Sequence, residues 1–241
     1  MSLVLNEKLA VVTGAGRGIG RAISRMLAQA GATVFLTART EDELKETAAL
    51  IKKDGGEAMC FPADVANEDS VKAMFLTVED QFGAPDVLVN NAGMGLYGAL
   101  ADFETVDFDK VVNVNLRGTF LCCKYAMKLM MTCRTGSIIN ISSVVGFKGY
   151  PNQSAYTAAK HGIMGLTKSL AVEAQEYGVR VSAVLPGGVD TDLVRQARPD
   201  LDPGELLAPE DVAGAVEYLL SLSDRAAVDQ IYIRRRNSEP F

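Results

Sequence analysis

The chain has 241 residues, 48% apolar and 22% charged, which suffices for one core and is short for two full domains. Its 24 Lys and Arg against 30 Asp and Glu leave a net charge of −6, so no global basic field exists to hold a nucleic-acid backbone or an anionic membrane. The composition excludes intrinsic disorder, and 22 glycines against one histidine exclude catalysis by a set of imidazoles.

Met1 to Lys8 lacks the basic and apolar segments of a secretory signal, and no run of 18 apolar residues follows, so a cytoplasmic protein without a membrane partner is expected. Short β-branched runs then alternate with amphipathic segments. Strands are predicted at Lys8–Thr13, Thr33–Thr37, Ala58–Phe61, Asp86–Asn90, Ser137–Ser142, Arg180–Leu185 and Gln230–Ile233. After the first, Ile19, Ala22, Ile23, Met26, Leu27 and Ala30 recur at helical spacing and Gly31 stops the helix. Thr40-Glu41-Asp42-Glu43 has the form of a capping box opening a second helix, which closes at Gly55-Gly56. Pro186 to Pro209, with Pro199, Pro203 and Gly204, is the one long irregular stretch, and its length points to a binding loop over about 187–208. Strands apolar throughout need cover on both faces. The chain therefore reads as α/β: a single-domain Rossmann fold over 1–241, with a doubly wound parallel sheet of about seven strands and helices on both faces. Cys60, Cys122, Cys123 and Cys133 show neither C-x-x-C spacing nor nearby histidines, so reduced buried thiols and no metal site are expected.

The first strand runs into Gly14-Ala15-Gly16-Arg17-Gly18-Ile19-Gly20, a G-x-x-x-G-x-G turn that opens a helix. Glycines at Gly14, Gly16, Gly18 and Gly20 permit a tight turn and close backbone approach, and the N–H groups around Arg17 and Ile19 offer positive charge to a pyrophosphate. An NAD site would place a carboxylate about 20 residues on, at the end of the second strand. Ala38 and Arg39 stand there instead, and Arg39 with Arg17 suits a 2′-phosphate, so NADP(H) is expected over NAD(H). Glu41 and Glu43 are assigned to the capping box.

The later strand ends carry a second pattern. Asn90-Asn91-Ala92-Gly93 follows the fourth strand, Asn115 lies in the next helix, Ser143 closes the fifth, Tyr156-x-x-x-Lys160 begins thirteen residues later, and Pro186-Gly187-Gly188-Val189-Asp190-Thr191 follows the sixth. With the glycine turn, this ordered set resembles the short-chain dehydrogenase/reductase family over nearly the whole chain, in particular its 3-oxoacyl-[acyl-carrier-protein] reductase-like members. The residues support that chemistry independently. Tyr156 and Lys160, at i and i+4, share a helix face. A free tyrosine is roughly 0.1% ionised at pH 7, a deficit of about 4 kcal/mol, and an ammonium about 4 Å away offsets a similar amount at an effective dielectric of about 20. Tyr156 is thus expected to act as acid and base without a histidine.

The resemblance implies that Ser143 hydrogen-bonds the substrate oxygen, Tyr156 transfers the proton, Lys160 also binds the nicotinamide ribose, and Asn115 holds a relay water. It implies Asp64 and Val65 at the adenine, with helix capping the alternative role for Asp64. Asn91, Ala92 and Gly93 fall under the adenosine ribose, and Pro186, Gly187, Val189 and Thr191 beside the carboxamide. Ser142 is expected on the opposite side from Ser143. The implied reaction is NADP(H)-dependent reduction of a ketone, a 3-oxoacyl thioester on acyl carrier protein or CoA included. The alternatives are an NAD(H)-dependent dehydrogenase of another secondary alcohol and a non-catalytic NADP(H) sensor. A serine hydrolase is excluded, since no G-x-S-x-G elbow exists and the single histidine, His161, adjoins Lys160. The family also pairs helices Asp107–Met131 and Ala155–Tyr177 between subunits, implying a homodimer or homotetramer. The ending Ile231-Tyr232-Ile233-Arg234-Arg235-Arg236 departs from the glycine-rich close of the 3-oxoacyl reductases, and its arginines read as a solvated tail, docking to an acidic carrier being the alternative. Met94, Leu96, Val145, Phe147, Tyr150 and Val194 are the expected lining of an open, apolar substrate pocket, and His161 is expected on the helix surface.

Overall fold

The computed structural model describes residues 3–197 and 202–239, so Pro199 lies outside the described residues. Its sheet holds β1 (Leu9–Thr13), β2 (Thr33–Ala38), β3 (Glu57–Pro62), β4 (Val87–Asn90), β5 (Gly136–Ile141), β6 (Val179–Pro186) and β7 (Gln230–Ile233). All seven predicted strands form. They pair in parallel in the order β3-β2-β1-β4-β5-β6-β7, so the chain returns from one edge to the centre between β3 and β4. That reversal opens a crevice at the carboxyl ends of β1 and β4, where doubly wound sheets take ligands.

Strand alternation divides the interior into two cores. Ala10, Val12, Val34 and Leu36 face one, with Ile23 and Leu27 of α1 (Gly18–Gln29), Leu44 of α2 (Glu41–Lys53) and Val216 of α8 (Pro209–Leu220). Leu9, Val11 and Phe35 face the other, with Met74 of α3 (Glu68–Phe82), Met130 of α5 (Gly118–Cys133) and Leu170 of α6 (Ser154–Gln175). Each full burial of a Val, Leu or Ile contributes about 1.5–3 kcal/mol, and this explains why β1, buried at all five positions, shows no polar alternation. Gly31 ends α1 at φ 99°, as its position predicts.

Four expectations need correction. Thr40 makes no side-chain capping bond, and the Glu43 carboxylate stands 3.7 Å from Arg17 of the glycine turn. The stretch after the sixth strand is not wholly irregular: α7 spans Asp192–Ala197, and Val189 bridges to Leu207. The long helix through Asn115 is α4 (Thr105–Val112), a π segment (Asn113–Arg117) and α5 in succession. Of the four free thiols Cys122 and Cys123 are buried, both in the same core, whereas Cys60 is half-buried and Cys133 exposed. Burial pushes the Cys122 and Cys123 thiols well up, so they act as small apolar residues. Among the described residues no helix is long and apolar enough to cross a membrane.

Candidate active site

A cavity of about 1080 Å³ runs along the carboxyl ends of the strands, from the glycine turn past the ends of β3 and β4 to Ser143, Tyr156 and the segment after β6. Every residue singled out above for catalysis or cofactor contact lines it, except Gly20 and Asn115.

Those two act from behind the wall. Gly14 and Gly18 adopt φ of 65° and 53°, which turns the chain from β1 into α1. A Cβ on Gly20 would overlap the Gly14 carbonyl and stand 2.5 Å from Asn91 Nδ2. Asn91 Nδ2 donates to the carbonyls of Thr13 (3.0 Å) and Gly14 (3.1 Å), while Thr13 Oγ1 accepts from the amides of Asn91 and Ala92 at 3.0 Å each. Asn91 therefore pins the glycine turn to the end of β4. At its start α1 has no side-chain cap and no acid in its first turn, so its leading N–H groups are open to an anion.

Asn115 is fully buried in the π segment, where one extra residue per turn re-aims side chains. Its Nδ2 donates to the carbonyls of Met94 and Val111, both at 2.8 Å, and holds the chain after β4 against the helix. Its Oδ1 is a buried acceptor without a partner among the described residues. Asp64 does not cap α3. Asn67 does, accepting from Ser70 N at 3.1 Å, while Asp64 Oδ1 accepts from Ala66 N at 3.0 Å in a local turn. Val65 packs where a Cβ on Gly118 would fall, 2.8 Å from its Cγ2.

At the other end of the cavity, Lys160 is 4% exposed and Nζ donates to Ile141 O at 2.9 Å, 5.6 Å from the centroid of the Tyr156 ring. The phenol therefore shifts opposite to the expectation from spacing. Burial pushes Tyr156 well above its ordinary value, Tyr97 adds to the rise, and a hydrogen bond from Ser143 opposes it. The same burial lowers Lys160 to about 8. Desolvation disfavours the charged form of both groups. Ser142 Oγ donates to Lys160 O at 3.2 Å and so supports α6, while Ser143 Oγ stands 3.4 Å from Pro186 O.

The wall near Tyr156 differs from its predicted lining. Val145, Tyr150 and Val194 border the cavity; Met94, Leu96 and Phe147 do not. Leu96 packs beside Val111, and Phe147 stands edge-on to Tyr232 at 5.0 Å. Sequence reasoning missed Tyr97, whose ring meets Tyr156 at 5.9 Å and whose phenol burial raises to about 12. It also missed Arg234 and Arg235, which line the cavity instead of trailing in solvent, so the wall is charged as well as apolar. Arg39 is exposed at the end of β2 and makes no ion pair among the described residues, whereas Arg17 pairs with Asp192 at 3.1 Å. His161 is exposed on α6, its Nδ1 3.0 Å from Thr157 O.

Residues 8–202 match the family model described as short chain dehydrogenase. The chain is 42% identical over 221 residues to a 3-oxoacyl-[acyl-carrier-protein] reductase of Synechocystis, covering 89% of this chain and 90% of that protein. It is 37% identical over 227 residues to a 3beta-hydroxysteroid dehydrogenase of Mediterraneibacter gnavus, covering 89% and 82%. Among solved structures, a metagenomic short-chain oxidoreductase in complex with NADP superposes with a TM-score of 0.86 at 35% identity, covering 97% of this chain and 99% of that one.

Proposed function

The chain belongs to the short-chain dehydrogenase family of oxidoreductases, and we propose that it is an NADP(H)-dependent carbonyl reductase that converts a ketone to a secondary alcohol. One observation carries this reading: Ser143, Tyr156 and Lys160 share a single cavity with an uncapped, glycine-lined helix start. The cradle suits a dinucleotide, since the glycine turn closes only where side chains are absent and its helix N–H groups are open. Gly14 to Ile19 would hold the pyrophosphate, and Asp64, Val65 and Asn91 to Gly93 would border the adenosine. Lys160 and Pro186 to Thr191 would flank the nicotinamide. Arg39, without an ion pair among the described residues and at the end of β2 where an NAD site would place a carboxylate, supports the 2′-phosphorylated form. The relative solved with NADP supports the same choice.

When bound, the nicotinamide supplies the hydride to the carbonyl carbon. Ser143 donates a hydrogen bond to the substrate oxygen. Tyr156, kept protonated by burial, gives its proton to that oxygen as it gains charge, and the Lys160 ammonium steadies the phenolate left behind. Asn115 Oδ1 is an acceptor suited to a water that returns the proton. Burial holds the phenol in the protonated form from which reduction starts. The name of the Synechocystis relative makes 3-oxoacyl thioesters, on acyl carrier protein or CoA, the first substrates to try.

We also assign a homodimer or homotetramer, supported by Phe120 on α5 and Val172 on α6, exposed at 49% and 74%. The free, reduced Cys122 and Cys123 suit the cytoplasm. The test is oxidation of NADPH against a panel of ketones, acetoacetyl thioester included, with NADH in parallel. Turnover that is faster with NADPH is expected, and absence of turnover with every ketone overturns the proposal.

A further inference from the structure

Charge at the far end of the cavity is not explained by the reaction. Beyond β7 the chain turns back, and Arg234, Arg235 and Glu239 border the cavity. Arg234 Nη1 donates to the carbonyls of Arg235 (3.2 Å), Arg236 (3.3 Å) and Ser238 (2.6 Å), while Ser238 N donates to Arg235 O at 3.1 Å. The segment is therefore a closed turn. It lies on Gly187 and Gly188: a Cβ on Gly187 would stand 3.5 Å from Arg234 Cα, and one on Gly188 3.8 Å from Arg235 Cδ.

Two other cations that line the cavity are paired with carboxylates. Arg195 holds Asp190 through bonds of 2.8 and 3.0 Å, and Arg17 is engaged by Asp192. Arg235 is half-buried, and its guanidinium has no hydrogen-bond or carboxylate partner among the described residues; the exposed Glu239 shares the wall without an ion pair to it. The guanidinium of a half-buried arginine lining a cavity offers a planar, bidentate site for a carboxylate or phosphate, in a chain whose net charge is −6.

We propose that Arg235 recognises an anionic group on the substrate, so that the preferred ketone carries a carboxylate or phosphate. This rests on the carbonyl-reductase reading and names its substrate class. The position favours substrate over cofactor. In the sheet order β7 stands four strands from β1 and five from β2, about 19 and 24 Å in strand spacing, which separates it from Arg39 and the 2′-phosphate that residue would meet, while Arg235 packs on Gly188 at the nicotinamide end, where the ketone must react. The strand that precedes it, β7, carries Tyr232, which also lines the cavity and meets Phe147 edge-on at 5.0 Å.

The experiment is steady-state reduction, with NADPH, of acetoacetate, its uncharged ethyl ester and acetoacetyl-CoA by the wild type, Arg235→Gln and Arg235→Lys. In Arg235→Gln, KM for the recognised anion should rise about tenfold or more with kcat held within about twofold, the pattern of lost uniform binding. Arg235→Lys should recover part of the loss, and the ethyl ester and NADPH should keep their KM values, which also reports an intact fold. A loss on acetoacetate identifies a carboxylate at the reacting end. A loss confined to acetoacetyl-CoA identifies the phosphates of a thioester carrier. Equal losses on all three substrates, no loss on either anion, or a raised KM for NADPH would overturn the assignment. If the wild type reduces none of them, the wider ketone panel decides the reaction reading by itself. Calorimetric titration of wild type and Arg235→Gln with acetoacetate and with CoA then decides charge recognition, and equal affinities for both ligands sink it.

Discussion

Lys160 and Tyr156 make the site's pH response legible residue by residue. Lys160 has a folded value of about 8 against 10.5 for a free lysine, so between these the unfolded chain binds more protons and stability rises with pH. Tyr156 is raised from 10.0, so above pH 10 its unfolded form loses a proton that the folded form keeps, and stability falls. The Lys160 gain is confined to pH 8–10 and amounts to roughly 3 kcal/mol at most, and the buried thiols of Cys122 and Cys123, also raised, oppose it from about pH 9 upward. Between pH 7.5 and 9.5 the urea midpoint of the wild type should therefore rise relative to that of Lys160→Met, which keeps the same thiols and lacks the amine. Tyr156→Phe should lower kcat by about 100-fold or more while NADPH titration stays close to wild type; a variant keeping a tenth of the rate argues against Tyr156 as the acid. The Tyr-x-x-x-Lys spacing made both groups visible in the sequence. It did not reveal the sign of the phenol's shift, because that sign comes from burial of the ring and from Tyr97, which only the folded chain brings together.

At the level of elements, alternation and helical spacing were enough to find seven strands and the helices that cover them, since burial on two faces writes itself into residue type. Local signatures failed where a distant partner competes. Thr40-x-x-Glu43 has the capping sequence, yet the Glu43 carboxylate stands 3.7 Å from Arg17 of the glycine turn. The π segment was invisible because one inserted residue shifts the apolar phase without breaking it. The arginine run after β7 gave no sign of its wall, since a charge run records nothing about what lies opposite. The glycine turn itself yields a contrast. Gly20→Ala forces the Gly14 carbonyl and Asn91 to move, and should cost about 1–3 kcal/mol in unfolding free energy and weaken dinucleotide binding. Gly214→Ala, at an exposed position of α8 where a Cβ meets nothing within 4 Å, should instead stabilise by about 1 kcal/mol. Chemical unfolding and NADPH titration of both variants measure the pair.

For the whole molecule, association and the sheet's edge matter most. The exposed Phe120 and Val172 predict a self-associating face; light scattering of the wild type should give a dimer or tetramer mass, and Phe120→Glu with Val172→Glu should shift it toward the monomer. A monomeric wild type refutes the assignment. The sheet is also unequal from end to end. β1 is central and wholly buried, whereas β7 is a four-residue edge strand joined only to β6 through the pairs from Ala183–Gln230 to Pro186–Ile233. Short edge strands open first in local unfolding, so amides of Ile231 and Ile233 should exchange with deuterium well ahead of those of Val11 and Val12. Such fraying would carry Arg235 and its turn off the cavity while leaving the cradle between β1 and β4 intact. The two halves of the crevice would then breathe independently, one kept rigid for the dinucleotide and the other able to release product without a hinge.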